Sequence, residues 1–443
     1  MTEREHTPLR FRHFSAYGLA SIGKVAVEMM LQLYLLDFYI RLLGLEPILA
    51  GAAFVVAIVW DAISDIIVSA GLMHARKKKL LYTTVILFGA IILAGSSYLL
   101  FAVEPVESQL HLFLQLLLAY VFVNTGMTLV DLPQTSMSAE LSPRSNERNK
   151  LLGFKMGMSI IGLMVGTVLP GLLLLLKGDS ESSVIASRTD SGAIIAFLVV
   201  ITSVLTVAGL RNRDRESTEH REIKIPDLRE ALSILKIKTF REVLYATLIA
   251  AVGRTINSAL AFIYYRLVLN LSEKSVSLVI LPVFMLSIIA SIPFWIALSK
   301  RYGKARPAWM SVGTLGVMGI VAYPILPEGM VLPVLFVSIL GGILCGAVFL
   351  VDSMIIDLID QDENESGKRK ESLFFAIQKF ILKASRAVSV LFITGCLKIF
   401  DLNVADEQTG FMEKWIIIGL FGFAVGLCFV ASSYYLKKTE SHF

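Results

Sequence analysis

The sequence is poor in the residues that build catalytic centres and covalent frameworks. Its 443 residues hold three cysteines and six histidines. Cys345, Cys396 and Cys428 each fall inside an apolar run, with neither metal-ligand spacing nor a disulfide pattern, and are expected to be small buried hydrophobes. The histidines do not cluster inside the apolar runs, and no Ser/His/Asp or Cys/His set can be assembled. No Gly-Lys-Ser/Thr phosphate loop occurs, which leaves ATP-driven chemistry unsupported. The glycines of Gly313–Gly319 (GTLGVMG) have no strand before them and no acidic partner after them, so they are packing residues. Charge is scarce at 17%. The formal net charge of +5 sits in short loops between apolar runs, which argues against a nucleic-acid partner. Residues 1–12 are polar and the apolar run from Phe14 is too long for a cleaved signal, so that run is expected to remain as a first membrane helix. The expectation is a protein that is not an enzyme and carries no cofactor.

What the chain has in abundance is apolar length. It is 55% hydrophobic with a mean hydropathy of +0.71. About 20 apolar residues cross a bilayer as a helix. Twelve such runs are found, near 14–41, 47–72, 80–102, 111–140, 151–177, 191–210, 241–269, 275–299, 308–326, 331–358, 372–400 and 413–436. The expected fold is therefore an all-α membrane protein of two pseudo-symmetric six-helix halves, residues 1–210 and 241–443. A central cytoplasmic linker, 211–240, joins them; its stretch 225–240 is amphipathic and suited to the membrane surface. Lysine and arginine concentrate in alternate loops, which places both termini in the cytoplasm. The protein is expected as a monomer in the cell (plasma or inner) membrane. The basic turn after the second span (HARKKK) returns after the eighth (SKRYGKARP), and the loop entering the fifth (SPRSNERNKLLGFKM) has an echo entering the eleventh (DENESGKRKESLFFAIQ). Both offsets are a little over half the chain, the mark of a transporter built from parallel repeats with its site near the midplane.

The most informative stretch is Trp60–Lys79, WDAISDIIVSAGLMHARKKK. Asp61 and Asp65 are four residues apart, so a helix puts them on one face about 6 Å apart along its axis. A carboxylate at bilayer depth costs roughly 2.5–3.5 kcal/mol even on the lenient insertion scale, so two on one face call for a common cause. A cation held between them is one; separate pairing with Lys or Arg of a neighbouring helix is the other.

Further charges sit at membrane depth. Lys379, Lys383 and Arg386 have i, i+4, i+7 spacing and form a stripe on the eleventh span. Lys24, Glu28 and Gln32 share a face of the first span, where Lys24 and Glu28 can also form an internal pair. Arg254 and Asn257 lie on the seventh. Each of these lines a polar cavity or is paired within the bundle. Asp352, Asp357 and Asp360 recur toward the inner end of the tenth span, opposite Arg144 and Arg148. They are expected as gating salt bridges, with an interfacial charge cluster as the plain alternative. Gly153, Gly157, Gly162 and Gly166 give the fifth span a small-residue packing face.

Twelve spans, basic loops after the second and eighth, and a long central loop resemble the major facilitator superfamily. Within it, WDAISD, TLVDLP (128–133), ERNKLLGFK (147–155) and IDLIDQDENESGKRKESLFFAIQKFILK (356–383) resemble the glycoside–pentoside–hexuronide:cation symporters, of which sodium-dependent lysophospholipid symporters are distant relatives. The resemblance covers most of the chain. It implies a cation site at Asp61, Asp65 and Thr128, with Ser64 standing where the family has asparagine; these are hard oxygen ligands for Na⁺ or Li⁺, or proton carriers. It implies a solute site touching Asp131, Lys155 (often Arg in the family) and Lys383. To these the residues themselves add Lys24, Glu28, Arg254, Thr135, Lys379 and Arg386. Ile66 and Ser69 replace a proline and a glycine, which predicts a straighter second helix. Val25 stands where galactoside-carrying members place a sugar-binding acid, and Thr135 where they place a stacking aromatic. The expected activity is Na⁺- or H⁺-coupled symport of a small organic solute, a glycoside or an anion such as a hexuronide. A lysophospholipid carrier, an uncoupled facilitator or a non-transporting sensor is the alternative. The partners implied are that solute, a monovalent cation and the lipid bilayer.

Overall fold

The computed structural model describes residues 9–77, 80–103, 108–142, 144–178, 180–216, 234–367, 370–402 and 410–442. Every regular element among them is helical. Helices close all their backbone hydrogen bonds within one segment, which is what a lipid environment requires of a spanning chain. Twelve are long and apolar enough to cross a membrane. In order they are α1 (Phe11–Asp37), α2 (Pro47–Lys77), α3 (Tyr82–Phe101), α4 (Gln109–Leu141), α5 (Ser145–Lys177), α6 (Glu181–Glu216), α7 (Lys238–Ile263), α8 (Glu273–Tyr302), α9 (Ala305–Ile325), α10 (Val331–Ser366), α11 (Glu371–Ile399) and α12 (Phe411–Lys438). The chain divides into two compact units: residues 1–45 with 53–223, and residues 46–52 with 224–443.

In the first unit α1 packs on α5 and α6, while α3 packs on α4 and α6. The α1–α5 contact is set by two of the four glycines expected to form a packing face. A Cβ on Gly162 would stand 2.3 Å from the Ile22 carbonyl oxygen, and one on Gly166 would stand 2.4 Å from that of Ala26. Gly153 and Gly157 open onto free space instead, so the packing stripe occupies only the second half of α5. Lipid offers no hydrophobic drive between helices, and close backbone approach supplies dispersion in its place.

The second unit repeats the pairing of the first and third helices, with α7 on α11 and α12 and α9 on α12, and adds close packing of α8 on α10. Gly316 and Gly426 bring α9 and α12 backbone to backbone, since a Cβ on either would lie 2.6 Å from the other's carbonyl oxygen. This confirms GTLGVMG as a packing segment. Phe240 and Phe374 meet edge to face with centroids 4.6 Å apart at the base of α7 and α11. α1 and α7 both end in a single π-helical turn, Phe38–Leu42 and Tyr264–Val268. Each turn carries an arginine paired with an acid: Arg41 with Asp37 at 2.7 Å, and Arg266 with Glu273 at 3.6 Å.

Boundaries differ from expectation most at α6, expected over 191–210 and observed over Glu181–Glu216. Its polar flanks dropped out of the hydropathy count, yet several of their polar side chains are taken up by neighbouring helices. Arg188 is fully buried and lies over the Tyr34 ring at 4.0 Å, Asp190 pairs with Lys177 at 2.6 Å, and Asp214 is fully buried. The start of the expected linker, 211–216, is therefore helix. The amphipathic stretch 225–240 lies mostly outside the described residues, as do Lys78, Lys79, Lys368 and Arg369. Cys345, Cys396 and Cys428 are each partly exposed rather than buried.

Candidate functional site: an acid-rich cluster on α1, α2, α4 and α5

α2 and α4 are stitched together side by side. Asn124 donates from Nδ2 to the Ala57 carbonyl oxygen at 2.9 Å, and Trp60 donates from Nε1 to Thr125 Oγ1 at 2.9 Å. One turn further, Thr128 donates from Oγ1 to Asp65 Oδ1 at 3.0 Å. The contact expected between Asp65 and Thr128 is thus present. Asp61 lies one turn before Asp65 on α2, and both acids are half-buried. Ser64 is buried but turns its hydroxyl back on its own helix, donating to the Asp61 carbonyl oxygen at 3.0 Å. Among the described residues no three His, Cys, Asp or Glu side chains converge on a metal position. Two carboxylates and a hydroxyl are hard oxygen donors of the kind a monovalent cation accepts, or a proton carrier.

Asp131 follows Thr128 by three residues, on the same face of α4. Its Oδ1 receives Lys24 from α1 at 3.3 Å and Lys155 from α5 at 3.0 Å. Lys155 also donates to Thr135 Oγ1 at 3.1 Å, and Lys24 lies 3.9 Å from Glu28. Five of the residues singled out in the sequence are therefore drawn into one polar cluster, Lys24, Glu28, Asp131, Thr135 and Lys155, and the Thr128–Asp65 contact lies one turn from it on α4. The two readings of Lys24–Glu28 merge here, because Lys24 serves both acids.

Two buried amides that the sequence reading missed hold this cluster in register. Asn124 is one. The other is Gln134, fully buried, whose Nε2 donates to the Tyr17 carbonyl oxygen at 2.6 Å and to Ser21 Oγ at 3.1 Å. Tyr17 returns a hydrogen bond from its hydroxyl to the Gln134 carbonyl oxygen at 2.9 Å. The available signal was an amide inside an apolar run, which at membrane depth demands a partner.

Beyond its apolar length, α2 ends in a second polar hub. Asp214 of α6 accepts from Arg76 Nη1 at 2.9 Å and, through Oδ2, from the Thr83 amide at 2.8 Å and the Thr83 hydroxyl at 2.9 Å. Arg76 also pairs with Glu140, to which the Tyr82 hydroxyl donates at 2.6 Å. Burial works against the Arg76 charge, but the hydrogen bond and charge of Glu140, with Asp214 behind it, outweigh burial and hold its pKa above the ordinary value.

In the second unit the expected gating row breaks up. Asp357 binds Lys304 with both oxygens at 2.6 Å, and Asp352 instead accepts from Gln378 Nε2 at 2.7 Å. In the first unit Arg144 lies 3.6 Å from Glu147 of its own helix. Arg148 is half-buried and Asp360 exposed. On α11, Lys379 and Arg386 are exposed and Lys383 half-buried; Arg254 is exposed on α7.

Comparison with known proteins gives the context for this geometry. A family model described as "MFS/sugar transport protein" matches residues 16–436. The sodium-dependent lysophosphatidylcholine symporter 1-A of Danio rerio is 22% identical over 422 residues, covering 88% of this chain and 76% of that one. The inner membrane symporter YicJ of Escherichia coli is 21% identical over 426 residues, covering 96% and 90%. The crystal structure of the nucleoside transporter NupG superposes with a TM-score of 0.66 at 12% identity, covering 96% of this chain and 99% of that one, a likeness of fold. With twelve spanning helices and a family match over nearly its whole length, the chain is an integral multi-pass membrane transporter and belongs to the MFS/sugar transport protein family of the major facilitator superfamily.

Proposed function

We propose that the protein is a secondary active symporter that couples a monovalent cation, Na⁺ or H⁺, to a small organic solute by alternating access. The observation that carries the reading is the Thr128–Asp65 contact, with Asp61 one turn before it and Asp131 one turn beyond. Two carboxylates on one helix face repel when empty, so the site favours taking up positive charge. A cation there neutralises the acids beside Asp131, and the solute then meets Asp131, Lys24 and Lys155. Several relatives are named as symporters, and some of them as sodium-dependent.

The solute is read as a glycoside-type or anionic molecule. Val25 and Thr135 stand in place of the residues that bind galactosides in the family, and Lys24 and Lys155 offer two ammonium donors to an anionic group. A lysophospholipid is the second reading, favoured by the lysophosphatidylcholine symporters among the relatives.

The test is the thermal melt of the purified chain in detergent, with and without Na⁺ and at two pH values, for wild type and Asp65→Asn. A ligand at a hundred times its dissociation constant stabilises by about 2.7 kcal/mol. Na⁺ stabilisation of the wild type alone identifies a sodium site. A pH shift that the mutant lacks identifies a proton site. Identical melts under all conditions overturn the proposal.

A further inference from the structure

Two of the hydrogen bonds that join α2 to α4 bracket Asp61. Asn124 Nδ2 reaches the Ala57 carbonyl oxygen at 2.9 Å, and Thr128 Oγ1 reaches Asp65 Oδ1 at 3.0 Å. The two donors are four residues apart on α4, so they share a face and stand about 6 Å apart along its axis. On α2 the acceptors lie two turns apart, and Asp61 is the residue midway between them. Within α2 the Ala57 carbonyl also closes the helical turn onto the Asp61 amide. The Asn124 carboxamide and Asp61 therefore meet at one carbonyl oxygen.

Only half of that carboxamide is engaged. A carbonyl accepts only from a donor, so Nδ2 faces Ala57 and Oδ1 lies on the other branch of the amide. Asn124 is 7% exposed, and its Oδ1 accepts no hydrogen bond from a described residue. The oxygen is nevertheless not sealed inside the core. A polar oxygen at membrane depth, left open and without a donor, calls for a partner. The neighbouring side chains leave a place for one. Ser64 donates its hydroxyl to the Asp61 carbonyl oxygen of its own helix at 3.0 Å. Among the described residues no third His, Cys, Asp or Glu joins the two acids on a metal position. The rest of a cation's shell must then come from neutral oxygens, and α4 presents two, Thr128 Oγ1 and Asn124 Oδ1.

We infer that Asn124 is a cation ligand: its side-chain carbonyl oxygen joins Asp61, Asp65 and Thr128 around a Na⁺ ion. The inference rests on the cation reading above and narrows it to Na⁺. A proton needs one carboxylate oxygen, whereas a metal cation needs several hard oxygens at once, so an added amide oxygen favours Na⁺ over H⁺. Two carboxylates already outweigh one positive charge. A neutral carbonyl dipole extends the coordination without adding a third repelling acid.

The test uses the full-length purified chain in detergent, with melting temperature as the readout. One titration adds NaCl, with choline chloride holding the ionic strength, at a pH where the acids are ionised. The other varies pH without Na⁺. Asn124→Ala is expected to weaken the Na⁺ midpoint about tenfold or more and to leave the pH midpoint within about threefold of the wild type. Two further variants separate the ligand from the stitch to Ala57, and serve where Asn124→Ala does not fold. Asn124→Ser keeps a donor toward Ala57 but loses the carbonyl oxygen, so Na⁺ should weaken as in Asn124→Ala. Asn124→Asp keeps an oxygen but loses the donor, so it should melt lower in Na⁺-free buffer yet hold Na⁺ at least as tightly as the wild type. A purely structural Asn124 predicts the reverse order, with Na⁺ weaker in Asn124→Asp than in Asn124→Ser. The inference is overturned by that reverse order, by a Na⁺ midpoint unmoved in Asn124→Ala and Asn124→Ser, or by Na⁺ and pH midpoints that move together. A wild type that answers pH but not Na⁺ overturns it too, while the proton form of the cation reading survives. A wild type that answers neither sinks both.

Discussion

The hub at the end of α2 allows a perturbation whose size can be worked out in advance. In Asp214→Asn the amide oxygen can keep the place of Oδ2 and both bonds from Thr83, at 2.8 and 2.9 Å. Its NH₂ group must then face Arg76 Nη1 across 2.9 Å, donor against donor. The loss is one charge-assisted hydrogen bond, about 1.5–3 kcal/mol, with the remaining Arg76 charge carried by Glu140. Thr83→Val removes only the hydroxyl bond to Oδ2, about 1 kcal/mol. For a cooperative unit of this size each kcal/mol lowers the melting temperature by roughly 2–4 °C. Asp214→Asn should therefore melt about 3–12 °C below wild type, and Thr83→Val about 2–4 °C below. A double-mutant cycle of Asp214→Asn with Arg76→Gln should show a coupling of about 1.5 kcal/mol or more, because the two share one contact. The hub fixes the end of the helix that carries Asp65, eleven residues or about 16 Å upstream of Arg76. The larger lesion should accordingly weaken the cation response as well, and Thr83→Val should leave it intact. The reasoning is refuted if the two single variants melt together, or if the cycle is additive within about 0.5 kcal/mol.

Three further outcomes are expected. Gly162→Ala should destabilise by about 1–3 kcal/mol, since its Cβ meets the Ile22 carbonyl at 2.3 Å, whereas Gly153→Ala, opening on free space, should gain up to about 1 kcal/mol in helix propensity; paired melts decide. Thr128→Val keeps shape but removes the donor to Asp65 Oδ1, so the Na⁺ or H⁺ midpoint should move by about tenfold or more in the same melt titration. Gln134→Leu strands the Tyr17 carbonyl and Ser21, and should cost about 2–4 kcal/mol with no change in the cation midpoint relative to its own baseline.

What could be read from the sequence, and what could not, follows one physical rule. Acids in an apolar run are conspicuous because each is expensive alone, so Asp61, Asp65 and Asp131 stood out from the letters. Partners are silent, because a threonine, asparagine or glutamine in a membrane helix changes hydropathy little while deciding which helices meet. Asn124 and Gln134 went unread for that reason, and the letters do not show that the Ser64 hydroxyl donates to a carbonyl one turn back on its own helix. The same rule shortened α6, whose polar flanks are met by Lys177 and Tyr34 at one end and by Arg76 and Thr83 at the other.

Asp352 shows how spacing misleads when angle is ignored. Asp352, Asp357 and Asp360 form a row on paper. On a helix, three residues turn the chain by about 300°, leaving Asp357 and Asp360 about 60° apart, whereas five residues leave Asp352 and Asp357 about 140° apart. One face of α10 thus presents Asp357 to Lys304 and the other presents Asp352 to Gln378.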